Sequence, residues 1–160
     1  MNLLGPPERT QAGGTARRLR ILAAIERSEA AGLVTKCLLE LHAGGQAIEV
    51  LLLNVQPIPV EWLTGGQMRD RLIDLGRRAV SSVARHLDAA DIPHRTRVEL
   101  ADPTETIVRY ADEENSDLIV LAEAKPSVVR SWLMRSTGMS IGSAASVVIH
   151  FARVPVIVAK

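Results

Sequence analysis

The chain has 160 residues, a length that fits one domain around a single core. It is 47% hydrophobic but only 2% aromatic, so Ala, Val, Leu and Ile must build the interior. The net charge of +1 gives no electrostatic case for nucleic acid or an acidic membrane, and the single cysteine, Cys37, rules out an intrachain disulfide and a cysteine-based metal cluster. No apolar run approaches the ~18 residues of a membrane span. The start, residues 1–16, lacks an apolar signal core and holds Gly5-Pro6-Pro7 and Gly13-Gly14. It reads as a disordered tail ahead of a domain over 17–160, in a cytoplasmic setting.

Leu19 to Ile25 is the first predicted strand. Ser28 is the expected helix N-cap, with Glu29 in the first turn where negative charge is favoured. The helix places Ala30, Val34, Cys37, Leu38 and Leu41 at three- and four-residue spacing, and Gly44-Gly45 ends it. Cys37 on that stripe reads as a small buried hydrophobe, since a reactive thiol needs an exposed electropositive site. Ile48 to Val55 is nearly all apolar and so a central strand, stopped by Pro57 and Pro59. A second helix is predicted over 66–89, with Met68, Leu72, Leu75, Ala79, Val83 and Leu87 as its inner stripe. Arg69, Arg71, Arg77, Arg78 and Arg85 lie off that stripe, interleaved with Asp70 and Asp74. They read as a solvated face, because no aromatic residues accompany them to stack on nucleic acid.

His94 to Leu100 alternates, with Thr96, Val98 and Leu100 against Arg95, Arg97 and Glu99, as an edge strand does. Asp102-Pro103-Thr104-Glu105 is a helix start: Asp102 caps, Pro103 takes the first helical position and Glu105 completes a capping box. Ile107, Val108 and Ala111 face inward, and Asn115-Ser116 closes that helix. Leu118 to Ala122 is a continuous apolar run that suits a parallel strand covered on both faces. A long irregular segment leads to Gly142-Ser143, which opens a helix whose free N–H groups can face an anion. Val154 to Ala159 is the last strand. Strand and helix alternate throughout, the pattern of an α/β sandwich with a mostly parallel sheet.

Gly142-Ser143 before a helix, then Pro155-Val156 opening the last strand, resembles the universal stress protein family in spacing. Ile21 to Ser28 looks like that family's first strand and turn. Asp102-Pro103 followed by Ile107-Val108 and Tyr110-Ala111 is similar to its third-helix entry. The resemblance implies a three-layer, adenine-nucleotide α-hydrolase-like fold with strand order 3-2-1-4-5. It also implies a homodimer through the strand near Val154–Ala159.

Nucleotide-binding members of the family carry Gly-x-x-Gly after the fourth strand, whose glycines let backbone approach phosphate. Here those positions hold Ala122 and Lys125. The aspartate that reads adenine in the family is replaced by Glu26, and the following glycine by Arg27. The loop before Gly142 is also longer than the family pattern. By resemblance a retained site would use Glu26, Val55, Ala122, Lys125, Gly142, Ser143 and Ala144. A helix N-terminus contributes only about 0.3–1 kcal/mol toward an exposed anion. A micromolar ligand needs about 8 kcal/mol. Arg130 and Arg135, with Lys125, could rebuild an anion site from side chains, or stand as solvent-facing loop charges. Val128, Val129, Trp132, Leu133 and Met134 read either as a plug over the pocket or as a partner-binding patch.

His42, His86, His94 and His150 show no metal spacing, and no metal is expected. No Gly-x-Ser-x-Gly elbow, Walker loop or Rossmann fingerprint appears. A receiver-type phosphoacceptor built on Glu26, Asp102 and Lys160 is rejected, because Asp102 is a helix cap. The expectation is a non-catalytic stress-response interaction protein of the class that does not bind ATP, with no cofactor. The alternative is a nucleotide switch or slow ATPase using ATP with Mg.

Overall fold

The structure is a computed structural model that describes residues 17–57, 66–122 and 144–160. β1 is Leu19–Ala24, followed by α1 over Ser28–Ala43 and β2 over Ile48–Gln56. α2 is Gly66–Ala89, β3 is His94–Leu100, α3 is Pro103–Glu113 and β4 is Leu118–Ala122. α4 is Ala144–Phe151 and β5 is Val156–Ala159. The five strands form one sheet in the order β3-β2-β1-β4-β5, and every neighbouring pair is parallel. Order and architecture are those the sequence and its resemblance imply.

Alternation along each strand feeds two cores, one on each face of the sheet. Ile21, Ala23, Ile48, Val50, Leu52 and Val120 face α1 and α2, where Val34, Leu38, Val83 and Leu87 meet them. Leu22, Leu51, Leu53, Ile119 and Leu121 face the other way, onto Ile107 and Ala111 of α3 and Val148 of α4. The interior is aliphatic, as the shortage of aromatic residues requires.

Most boundaries fall where turn chemistry puts them. Asp102 accepts a hydrogen bond from the Glu105 N–H at 2.9 Å, with Pro103 at the first helical position. Gly45 turns with φ +87, a left-handed conformation that favours glycine.

Several expectations are corrected. Ser28 is the first residue of α1 rather than its cap. Arg27 holds the cap position in extended backbone, with no side-chain cap bond. Cys37 and Leu41 are half-buried, while Thr35 takes a buried place in α1 and bonds the Ala31 carbonyl. Burial pushes the Cys37 thiol up, with the Glu40 charge adding to it, which disfavours the thiolate. Leu75 is 53% exposed, and Gly76 is buried in its stead. The helix meets the sheet at Gly76, and a residue one step away lies about 100° round the axis. β5 begins at Val156 rather than Val154, because Pro155 lacks an N–H to donate and offers only its carbonyl, to Ile119.

Arg69, Arg71, Arg77, Arg78 and Arg85 are all exposed, as expected of a solvated face. No helix among the described residues is long and apolar enough to cross a membrane. The expected N-terminal tail, Pro59, and the residues from Lys125 to Ser143 lie outside the described residues.

Candidate functional site

Chain direction across the sheet reverses between β1 and β4. From β1 the chain moves through α1 to β2 on one side, and β4 lies on the other. In open parallel sheets a ligand crevice forms at such a switch, outside the carboxyl ends of the strands. Here those ends are Ala24-Ile25-Glu26 and Leu121-Ala122.

Glu26 sits at this end of the sheet and is half-buried. Its carboxylate makes no ion pair or hydrogen bond among the described residues. Arg27 follows at φ −145, extended backbone that any residue adopts, so the turn itself needs no glycine. Ala122 closes β4 opposite Ala159 of β5 and is half-buried. Val55 is buried at the end of β2 and packs into the α3-side core. Ala144 begins α4. Glu26, Val55 and Ala122 therefore share one end of the sheet. Lys125, Arg130, Arg135, Gly142 and Ser143 lie outside the described residues.

The turn after β1 is held by a residue that sequence reasoning passed over. Asn54 is fully buried in β2, and its Nδ2 donates to the Ile25 carbonyl at 2.7 Å and the Glu26 carbonyl at 3.3 Å. Gln56 Nε2 donates back to Asn54 Oδ1 at 2.9 Å. The amide thus satisfies two carbonyls that end a strand and would otherwise be buried without donors. α2 must come close for Asn54 to stay dry, and Gly76 allows it. A Cβ there would stand 2.4 Å from Asn54 Oδ1 and 2.5 Å from Val98 Cγ1. A lone amide in an apolar run and a glycine in an apolar helix stripe were the available signals.

A model of the universal stress protein family matches residues 18–160. The chain belongs to the universal stress protein family. Among solved structures, the universal stress protein from Archaeoglobus fulgidus is 22% identical, with TM-score 0.64, over 90% of this chain and 99% of that one. A universal stress protein family member from Burkholderia pseudomallei is 22% identical, with TM-score 0.63, over 87% and 93%. One from Arabidopsis thaliana, solved with AMP bound, is 14% identical, with TM-score 0.63, over 89% and 91%. At these identities the likeness to individual structures speaks for the fold. No curated protein matches the chain.

In this universal stress protein β4 ends at Ala122. The expected entry to α3 is in place, with Asp102 as its cap and Pro103 at its start.

Proposed function

We propose that this universal stress protein acts as a non-catalytic, dimeric interaction protein and does not bind ATP. The replacement of the phosphate-loop glycines by Ala122 and Lys125 carries this reading. A triphosphate held by one helix N-terminus gains about 0.3–1 kcal/mol, far below what micromolar affinity needs. Dimerisation is proposed through β5, whose outer edge has no partner strand among the described residues. Ile149 and Phe151 of the adjoining α4 are 53% and 61% exposed, and β5 is half-buried along its whole length. Burying such apolar surface on a second copy is favourable. A cytoplasmic location, without metal or cofactor, goes with this reading.

A second reading has an observation behind it. Structures of similar fold were solved with AMP, dAMP and cAMP bound. A nucleotide switch or slow ATPase would use Glu26, the β2 end at Val55, and Gly142-Ser143, with Lys125, Arg130 and Arg135 as anion contacts and Mg alongside ATP. Calorimetry with ATP and AMP, with and without magnesium and after checking for co-purified nucleotide, separates the two. No heat of binding at millimolar nucleotide is expected. Micromolar affinity would overturn the first reading. The triple substitution of Lys125, Arg130 and Arg135 would then locate the site.

A further inference from the structure

The opposite end of the sheet carries a cleft of about 230 Å³. It lies where the amino ends of β1, β2 and β3 meet the turn that leaves α3. The alternation that sends Leu22 and Leu51 toward α3 sends Arg20 and Glu49 the same way. Arg20 stands opposite Glu49 across the β1–β2 pair, and Arg95 opposite Leu51 across β2–β3. Glu114 and Ser116 close the cleft from the α3 side, flanking Asn115 with its left-handed φ of 49.

The charges at the cleft nearly cancel in pairs. Arg95 Nη2 meets Glu114 Oε2 at 2.8 Å. Asp117 accepts the Arg20 backbone N–H at 2.9 Å and an Arg17 guanidinium N–H. That backbone bond first, then the two arginine charges, holds its carboxyl below the usual carboxylate range. His94, also at the rim, has Nδ1 on the Ile92 carbonyl at 3.0 Å and Nε2 3.8 Å from Asp88. The pairing is not one to one, because Arg17 and Arg20 share Asp117 and Glu49 has no ion pair among the described residues. Arg20 Nε is buried and has no hydrogen-bond partner among the described residues. Asp117 Oδ2, already accepting the Arg20 N–H, is 3.6 Å from it. Glu49 is half-buried and makes no ion pair among the described residues, although Arg20 is its register partner. Arg20 thus shares its one carboxylate with Arg17, while Glu49, beside it on the next strand, has no counter-charge among the described residues.

We propose that this cleft binds a small aminocarboxylate zwitterion, its carboxylate on the Arg20 guanidinium and its ammonium on Glu49. The planar fork of arginine suits a carboxylate, and the Glu49 carboxylate takes the ammonium. A simple anion would satisfy Arg20 and be repelled by Glu49, and a simple cation would meet the converse. The cleft lies at the far end of the sheet from Glu26, so it stands apart from the nucleotide question.

The test is an amide NMR titration of the full chain with glycine and with 4-aminobutanoate, against acetate and methylammonium as half-ligands. Saturable shifts confined to the residues around Arg20, Glu49 and Ser116 are expected for at least one zwitterion. Each half-ligand should bind about tenfold more weakly or worse, because it leaves one charge unpaired. Glu49→Gln keeps the shape and removes the charge. It should cost about tenfold in affinity with an unchanged melting temperature, and Glu49→Asp should recover part of it. Arg20→Lys, which keeps the charge and loses the fork, should weaken binding less than Arg20→Gln. Absence of saturable shifts at tens of millimolar zwitterion would overturn the proposal. So would acetate binding as tightly as glycine, or Glu49→Gln binding unchanged.

Discussion

The two edges of the sheet are built on opposite plans. β3 presents Arg95, Arg97 and Glu99 along one outer strand, and Arg95 is tied to Glu114 while Glu99 accepts from the Tyr110 hydroxyl. That hydrogen bond, together with burial, pushes the Tyr110 phenol up, so it stays protonated and keeps donating. Charges along an edge discourage another strand from pairing there. β5 carries Val156, Ile157, Val158 and Ala159, all half-buried, beside the exposed Ile149 and Phe151 of α4. Among the described residues both edges leave backbone groups unpaired by a neighbouring strand, and β5 carries the more apolar side chains. The difference between the edges is therefore written in side chains rather than in topology.

The largest expected effect breaks the β5 edge. Substituting Ile149→Glu and Phe151→Glu together should weaken self-association by at least about a hundredfold, since buried apolar anchors dominate interface energy. Sedimentation at micromolar protein would read this as a monomer. A wild-type chain that is already monomeric there would remove the dimer from the proposed function. Next comes Gly76→Ala, which probes how the β3 side is held. Its Cβ would press on Asn54 and Val98, so something must shift, and urea unfolding should show a loss of about 1–3 kcal/mol. The dimer constant should stay put, because Gly76 is remote from β5.

A smaller effect is expected from Asp102→Ala at the entry to α3, at about 1 kcal/mol of stability. Smaller still is the acid limb at Asp117. Its folded carboxyl lies below the unfolded value, so its contribution is complete above about pH 4 and is lost as the pH falls through the lowered value. Asp117→Asn should flatten the stability curve in that acidic range and leave its slope near neutrality unchanged. The smallest change is expected from Arg97→Gln on the charged edge, within about 0.5 kcal/mol and with no change in association. If it instead promoted dimerisation, β3 would be the associating edge and the contrast would invert.

Much of the path to the site was legible from local chemistry. The bounds of α2, β3 and β4 follow from periodicity and turn residues, and the Asp102-Pro103 cap from two neighbouring side chains. Leu75 shows where that legibility ended. Helical spacing allows several nearly equivalent inner faces. Contact with the sheet chose the one that runs through Gly76, because Asn54 leaves no space for a Cβ. Ser28 failed for a related reason: a serine before an apolar stripe is a common cap, but the turn after β1 is fixed from β2 by Asn54, and the helix starts one residue earlier, with Arg27 at the cap position.

The sequence by itself determined the α/β alternation and the aliphatic core. Its motifs fixed the likeness to the universal stress protein family. Each of these depends on residues close together in the chain, so spacing is enough to express them. Only the tertiary structure brought Asn54 under the Ile25 and Glu26 carbonyls, set Gly76 against it, and left Arg20 and Glu49 side by side without a bond. Those relations join residues far apart in sequence, and they depend on register and on the approach of packed elements, which no local pattern encodes.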